Sequence, residues 1–184
     1  MSRPAWLLSV EEDLLRHDYM AGVQRTVERI RATGEVFTPA SLVLEMIEYL
    51  GPASLGPGKT ILDPACGDGQ FLVAAKGVKV YFHGMTEELA LADLFGVDIM
   101  RDNVDVCRRR LGGGTIIMGN TLKPSEKLEG QSAEELALMM ELFEGPRDSL
   151  IRRKKRVVGT KEKLTTSRSK RPSQPEAEGD LALF

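Results

Sequence analysis

The stretch ILDPACGDGQFL, residues 61–72, constrains the chain more than any other. A short apolar run enters Asp-Pro, passes two glycines that flank an aspartate, and leaves on residues that favour a helix. Glycine tolerates positive φ and lets a ligand approach the backbone. The start of a helix presents free N–H groups. A strand feeding such a turn and then a helix is the opening of a βα unit, and one needs further strands to bury it. Acids in the turn, Asp63 and Asp68, repel phosphate and suit a ligand that is cationic or rich in hydroxyls. A plain tight turn with an acidic cap is the simpler alternative for one glycine pair taken alone.

The pattern around this turn supplies the strands. FGVDI at 95–99 and TIIMG at 115–119 are short apolar runs, and RDNVDVCRRRL lies between them as a helix from about Arg101, stopped by three glycines. Strand, helix, strand, helix, strand implies a parallel α/β sheet with crossovers. Upstream, Ser9 with Glu12 fits a capping box, and apolar residues from Val10 to Ile30 predict one helix over about 10–32, ended by Gly34. GEVFTP is extended before Pro39. A helix over about 39–50 is expected to turn Leu42, Leu44, Met46, Ile47 and Leu50 inward. VKVYF at 78–82 alternates as a strand does but also reads as a loop. Thr86 caps a helix over about 87–94, and another runs from Ser132 to Phe143. Asp98, at the end of the second strand, is placed to accept hydrogen bonds from a ribose, as in other nucleotide-binding α/β folds.

Charge is distributed unevenly. Residues 1–146 hold 14 basic and 22 acidic side chains, residues 147–171 hold 11 and 2, and residues 172–184 hold three acids and no base. A net −2 therefore conceals an acidic body and a basic arm. Apolar residues thin out after Val158, and about 159–184 is expected to be a disordered tail. Two cysteines, Cys66 and Cys107, make neither a disulfide framework nor a metal site, and reduced thiols fit a cytoplasmic protein. The sequence shows neither an N-terminal apolar signal run nor a stretch of membrane-spanning length.

DPACGDGQFL resembles the cofactor motif of S-adenosylmethionine-dependent DNA adenine-N6 methyltransferases, Asp-Pro-x-Cys-Gly-x-Gly-x-Phe. GEVFTP resembles the segment that precedes it and closes over the methionine moiety, FGVDI the acidic ribose motif, and IIMGNTL at 116–122 the third motif. The four stand in family order across about 34–122. The resemblance implies a Rossmann-like methyltransferase sheet of reduced size, with an N-terminal helical segment (1–33), a cofactor domain (34–146), a basic arm (147–171) and an acidic tail (172–184). It puts Phe37, Thr38 and Pro39 near the methionine end of S-adenosylmethionine. Asp63, Ala65, Gly67 and Gly69 surround methionine and ribose, Asp98 holds ribose hydroxyls, Ile99 packs on adenine and Asn120 meets its amino group. Structural alternatives stand beside these roles: Phe37 as core, Asp98 as a helix cap, Asn120 as a turn residue.

The catalytic motif of that family, Asn/Asp-Pro-Pro-Tyr/Phe, contacts the flipped adenine, and this sequence contains no Pro-Pro pair. No buried fourth strand follows GNTL. Catalytic residues are therefore not assigned, and three readings stay open: a methyltransferase completed by a second chain, a non-catalytic derivative that keeps the cofactor fold, or a fold that no longer binds cofactor. A trimmed chain of this kind fits a phage or mobile element, and so a host cytoplasm. Arg152, Arg153, Lys154, Lys155 and Arg156 offer clustered cations for DNA phosphates, or a solvated linker. The terminal EGDLALF resembles peptides that bind the bacterial sliding clamp, with Leu181, Leu183 and Phe184 at the apolar positions. A non-catalytic protein that binds clamp and DNA through this tail, and so interferes with replication, is the alternative function.

Overall fold

A computed structural model describes residues 3–16, 26–35 and 38–145. Three parallel strands form its sheet: β1 (Ile61–Asp63), β2 (Leu94–Asp98) and β3 (Thr115–Met118). Their order in space is β1-β2-β3, with Ile61 opposite Leu94 and Phe95 opposite Thr115. The crossovers are α4 (Gln70–Gly77) with α5 (Glu87–Leu91), and then α6 (Arg101–Leu111). This is the parallel α/β order expected from the sequence, a reduced Rossmann-like sheet.

Side chains alternate across a strand, and the sheet accordingly has two apolar faces. Leu94 and Ile116 join Leu72 of α4 and Val104, Cys107 and Leu111 of α6 in the main core. Leu7, Val10 and Leu14 of α1 (Ala5–Leu15) and Val43, Leu44 and Ile47 of α3 (Ala40–Leu50) complete that layer. On the other face Val97 and Ile117 meet Met139 of α7 (Ala133–Phe143), with Leu62, Leu138, Leu142 and Phe143 packed around them. Ser132 and Glu135 cap α7 reciprocally, each side chain accepting from the other residue's backbone N–H.

Several local expectations are corrected. The first helix begins at Ala5, five residues before the expected start, because the Pro4 carbonyl already accepts from Leu7 and Leu8 N–H. Ser9 caps nothing; inside the helix its hydroxyl donates to Ala5 O at 3.4 Å. The single helix expected over about 10–32 is not formed: α1 ends at Leu15, and α2 (Val27–Thr33) starts anew from an extended N-cap at Thr26 and is ended by Gly34 at φ 68°, the stop expected there. In α3, Leu42, Met46 and Leu50 lie outward with Tyr49, while Val43 takes the inward place beside Leu44 and Ile47.

VKVYF is neither strand nor loop: it continues α4 as a π-helical turn over Val78–Phe82. Its alternation misleads because Lys79 is fully buried. The ammonium donates to Gly56 O, Lys59 O and Asp93 Oδ2, each at 2.9 Å. Its three N–H donors are thereby met by three acceptors, as a buried ammonium requires. Thr86 caps α5 as expected, accepting from Leu89 N, though the helix ends at Leu91. Among the described residues no helix is long and apolar enough to cross a membrane, and no cluster of metal-ligating side chains occurs.

Candidate functional site

The carboxyl ends of the three strands lie side by side, and in open α/β sheets that edge is where ligands bind. β1 ends on Asp63, β2 on Asp98, and β3 runs through Gly119 into Asn120. The turn after β1 is stitched to β2. Cys66 N donates to Val97 O at 2.9 Å, Gly67 N to Asp98 Oδ2 at 2.9 Å, and Gly69 N back to Cys66 O at 2.8 Å. Gly67 and Gly69 have φ of 53° and 89°, both left-handed. Gly69 is needed twice over, since a Cβ there would lie 2.6 Å from Cys107 Sγ. Cys66 and Cys107 are buried; the hydrogen bond between them and their burial push the Cys66 thiol up, so it stays protonated.

The two acids of the expected site come together electrostatically. Burial pushes the Asp63 carboxyl up, and the charge of Asp98 pushes it further, against the hydrogen bond from Ala65 N at 3.1 Å. Burial likewise holds the Asp98 carboxyl above its ordinary range, opposed by hydrogen bonds from neutral donors. Those donors are Met100 N at 2.8 Å, Gly67 N at 2.9 Å and Asn103 Nδ2 at 3.2 Å. A carboxylate offers about four lone-pair directions, so one remains for a ligand. Asp98 thus accepts from the backbone just before α6, without capping that helix, and still faces the site.

Asp68, in the same turn, faces the other way. It is 2% exposed and pairs with Arg110 Nη1 at 3.4 Å, so its charge is spent inside the protein, not on a ligand. Ala65 and Ile99 are exposed at the ends of β1 and β2. Thr38 and Pro39 are exposed at the entry to α3, where Pro39 takes the N-cap position. The side chain of Asn120 is committed to its own turn: Oδ1 accepts from Leu122 N at 3.1 Å and Nδ2 donates to Glu126 at 2.6 Å. Phe37, the basic cluster Arg152–Arg156 and the terminal Leu181, Leu183 and Phe184 lie outside the described residues.

Sequence reasoning missed three residues that stand behind Asp98. Arg29 of α2 donates to both oxygens of Glu35, at 2.7 and 2.9 Å, and also to Asp102. Glu35, in the GEVFTP segment, accepts from Asn103 Nδ2, the same amide that donates to Asp98. Burial pushes Glu35 up, but Arg29 and Asn103 together pull its carboxyl below the ordinary range. Both acceptors of Asn103 are carboxylates, so its amide nitrogen must face them. Its Oδ1 is then buried with no hydrogen-bond partner, an arrangement that costs about 1–3 kcal/mol. The one sequence signal for this group was the acid inside GEVFTP; Arg29 is six residues away, but Asn103 is 68 residues away.

Carboxylates at two adjacent strand ends, a left-handed glycine turn between them, and an exposed Ile99 can hold a ligand with hydroxyl or ammonium groups and a flat apolar part. A phosphate is disfavoured, because Asp98 already occupies Gly67 N–H and the side chains of Asp63 and Asp98 at this edge are acidic. No curated protein and no solved structure matches the chain. The family model for N-6 DNA methylase matches residues 12–112, more than half of the chain, from the end of α1 through β1, β2 and α6. The chain belongs to the N-6 DNA methylase family.

Proposed function

We propose that this DNA N6-methyltransferase-like protein binds S-adenosylmethionine at the carboxyl edge of its sheet. The observation that carries the reading is the convergence of Asp63, Asp98 and the Gly67–Gly69 turn at adjacent strand ends. Asp98 accepts from a ribose hydroxyl through its open lone pair. Asp63 and the backbone around Ala65, Gly67 and Gly69 receive the amino acid part, and Ile99 packs on adenine. Asn120 lies within the adenine side of the site, and Phe37, Thr38 and Pro39 border the methionine end. When bound, the cofactor supplies an electrophilic methyl group on a sulfonium. What these 184 residues supply is orientation of that group; the Pro-Pro-aromatic segment that would hold a target adenine is not among them. Methyl transfer therefore depends on such a segment coming from outside these residues, a second methyltransferase chain being one source.

The basic arm, Arg152–Arg156 above all, gives DNA affinity without sequence choice. A second reading has its own observation, the terminal Asp180–Phe184 sequence after a polar, charged stretch. On that reading Leu181, Leu183 and Phe184 fill the apolar pocket of a bacterial sliding clamp, the protein is phage- or mobile-element-encoded, and its setting is the host cytoplasm.

Calorimetric titration with S-adenosylmethionine and with S-adenosylhomocysteine decides the first reading. Binding of both is expected, weakened by about 1–3 kcal/mol in Asp63→Ala for a lost charged acceptor. Wild-type protein that releases no heat with either compound sinks it. For the second reading, clamp capture should disappear with Leu183→Ala/Phe184→Ala; capture that survives deletion of residues 178–184 would refute it.

A further inference from the structure

We infer that Arg29, Glu35 and Asn103 form a relay that positions Asp98 for its ligand and ties that positioning to docking of the Glu35 arm, residues 26–35. The inference rests on the cofactor reading above and adds residues to it. The geometry is continuous. The Arg29 guanidinium bridges Glu35 and Asp102, the Glu35 carboxylate accepts from Asn103, and the Asn103 amide fixes one oxygen of Asp98. The chain has placed these residues on four pieces of structure: α2, the segment after Gly34, the end of β2 and the first turn of α6.

Asn103 is the joint. It is 1% exposed, both its N–H donors go to carboxylates, and its oxygen is left unpartnered. The arrangement spends both donors on holding two acids of like charge near one another. Glu35 approaches Asp98 only because Arg29 supplies a counter-charge and Asn103 a shared donor. If the arm leaves, Asn103 loses one acceptor and is free to turn, and Asp98 keeps only its Met100 and Gly67 N–H donors, which leaves its carboxylate less restrained. A docked arm therefore tightens Asp98, and Arg29, Glu35 and Asn103 act as positioning residues.

Charged and titratable groups around Asp98 set the signs of the test. Glu35 faces it from the arm, and Asp63 and the Cys66 thiol face it from the β1–α4 turn. Asp102, beside Asn103, shares the Arg29 guanidinium with Glu35 and is held below its ordinary range by it. Removing the Asn103 donor destabilises the Asp98 carboxylate, so its titration midpoint rises. Replacing Glu35 by Gln removes the repulsion and keeps a side-chain oxygen to accept from Asn103, so the midpoint falls.

The experiment is an NMR titration of the Asp98 carboxyl carbon in the full chain, with calorimetry of S-adenosylhomocysteine alongside. Asn103→Ala should raise the midpoint and Glu35→Gln should lower it. Both should weaken binding about tenfold or more at pH 8, because each breaks a charge-assisted bond of the relay. Should Asn103→Ala fail to fold, Arg29→Met takes its place; it strips Glu35 of its counter-ion and is expected to raise the midpoint as well. Opposite shifts with a common loss of affinity support the relay. Shifts of one sign, no shift, or unchanged affinity overturn it, since general loosening would move the variants alike. If wild-type protein binds no S-adenosylhomocysteine, the cofactor reading fails, and the ligand-free titration alone decides whether the relay exists.

Discussion

Glu135 of α7 and Asp98 of β2 each collect several hydrogen bonds around the sheet, but from donors of different kinds. Glu135 accepts from Arg101 at 2.6 and 2.9 Å, from Arg108 at 2.9 Å, and from Met118 and Ser132 N–H. Burial pushes its carboxyl up, yet two guanidinium groups and two backbone donors prevail and hold it at about 2. Asp98 is met only by neutral donors, and there burial prevails and the carboxyl sits above its ordinary range. Glu135 has its charge cancelled within the protein and joins α6, β3 and α7. Asp98 keeps an uncompensated charge and an open lone pair, which is a cost to the fold and an offer to a ligand.

The largest effect should come from breaking the cancelled acid. Glu135→Ala strands Arg101, Arg108 and the Met118 and Ser132 N–H groups together. Breaking a buried pair costs about 3–5 kcal/mol; the arginines are 33% and 42% exposed, which lowers this to about 2–4. Urea denaturation measures it, and a loss under about 1 kcal/mol would show that Glu135 does not organise this edge. Asp98→Asn keeps the shape of the open acid and should leave unfolding free energy within about 1 kcal/mol of wild type. Its cost should appear in S-adenosylhomocysteine binding instead, about 1–3 kcal/mol. An Asp98→Asn protein that binds normally, or unfolds as readily as Glu135→Ala, would erase the contrast.

The same difference fixes the pH dependence. Glu135 has a folded value below its unfolded one, so its contribution to stability is complete above about pH 4.5 and is lost as pH falls toward 2. Asp98 has the opposite sign: its folded value is raised, so ionisation costs stability and protonation relieves that cost. The acid limb of a stability–pH curve should therefore be shallower in Glu135→Gln than in wild type. Asp98→Asn should leave that limb as steep or make it steeper. A limb unchanged by Glu135→Gln would assign acid unfolding to other carboxylates.

How legible this was depends on where partners sit along the chain. The glycine turn, the strand-end acids and the helix between β2 and β3 are contiguous, and their spacing alone places Asp63 and Asp98 at the same edge. The face of α3 was not legible. Leu42, Met46, Tyr49 and Leu50 have helical spacing, and so do Val43, Leu44 and Ile47; only packing against α1 and α4 chooses the second set. Nor could the turn reveal that Asp68 faces Arg110, since adjacent acids look alike in a sequence. The relay behind Asp98 was least accessible of all. Glu35 and Asn103 are 68 residues apart and Arg29 and Asp102 are 73 apart, and no local pattern links such positions.

Asp102 lies between the two kinds of acid and gives the smallest expected effect. Like Glu135 it is held below its ordinary range by an arginine, the Arg29 bond being the main cause. Unlike Glu135 it is 38% exposed, and its arginine has another acid to turn to. Asp102→Asn leaves Arg29 its two-pronged contact with Glu35 and keeps a side-chain oxygen beside the Asn103 N–H. Exposed ion pairs contribute about 0–1 kcal/mol, so stability should fall by less than about 1 kcal/mol. The loss should also shrink as salt rises, because solvent reaches this pair and screening weakens what solvent reaches. Glu135→Ala should keep most of its penalty in salt. A loss for Asp102→Asn as large and as salt-insensitive as that of Glu135→Ala would mean that Arg29 depends on both acids at once. Arg29, Glu35 and Asp102 would then be a closed structural cluster, and the offer made by Asp98 would have to stand without the arm.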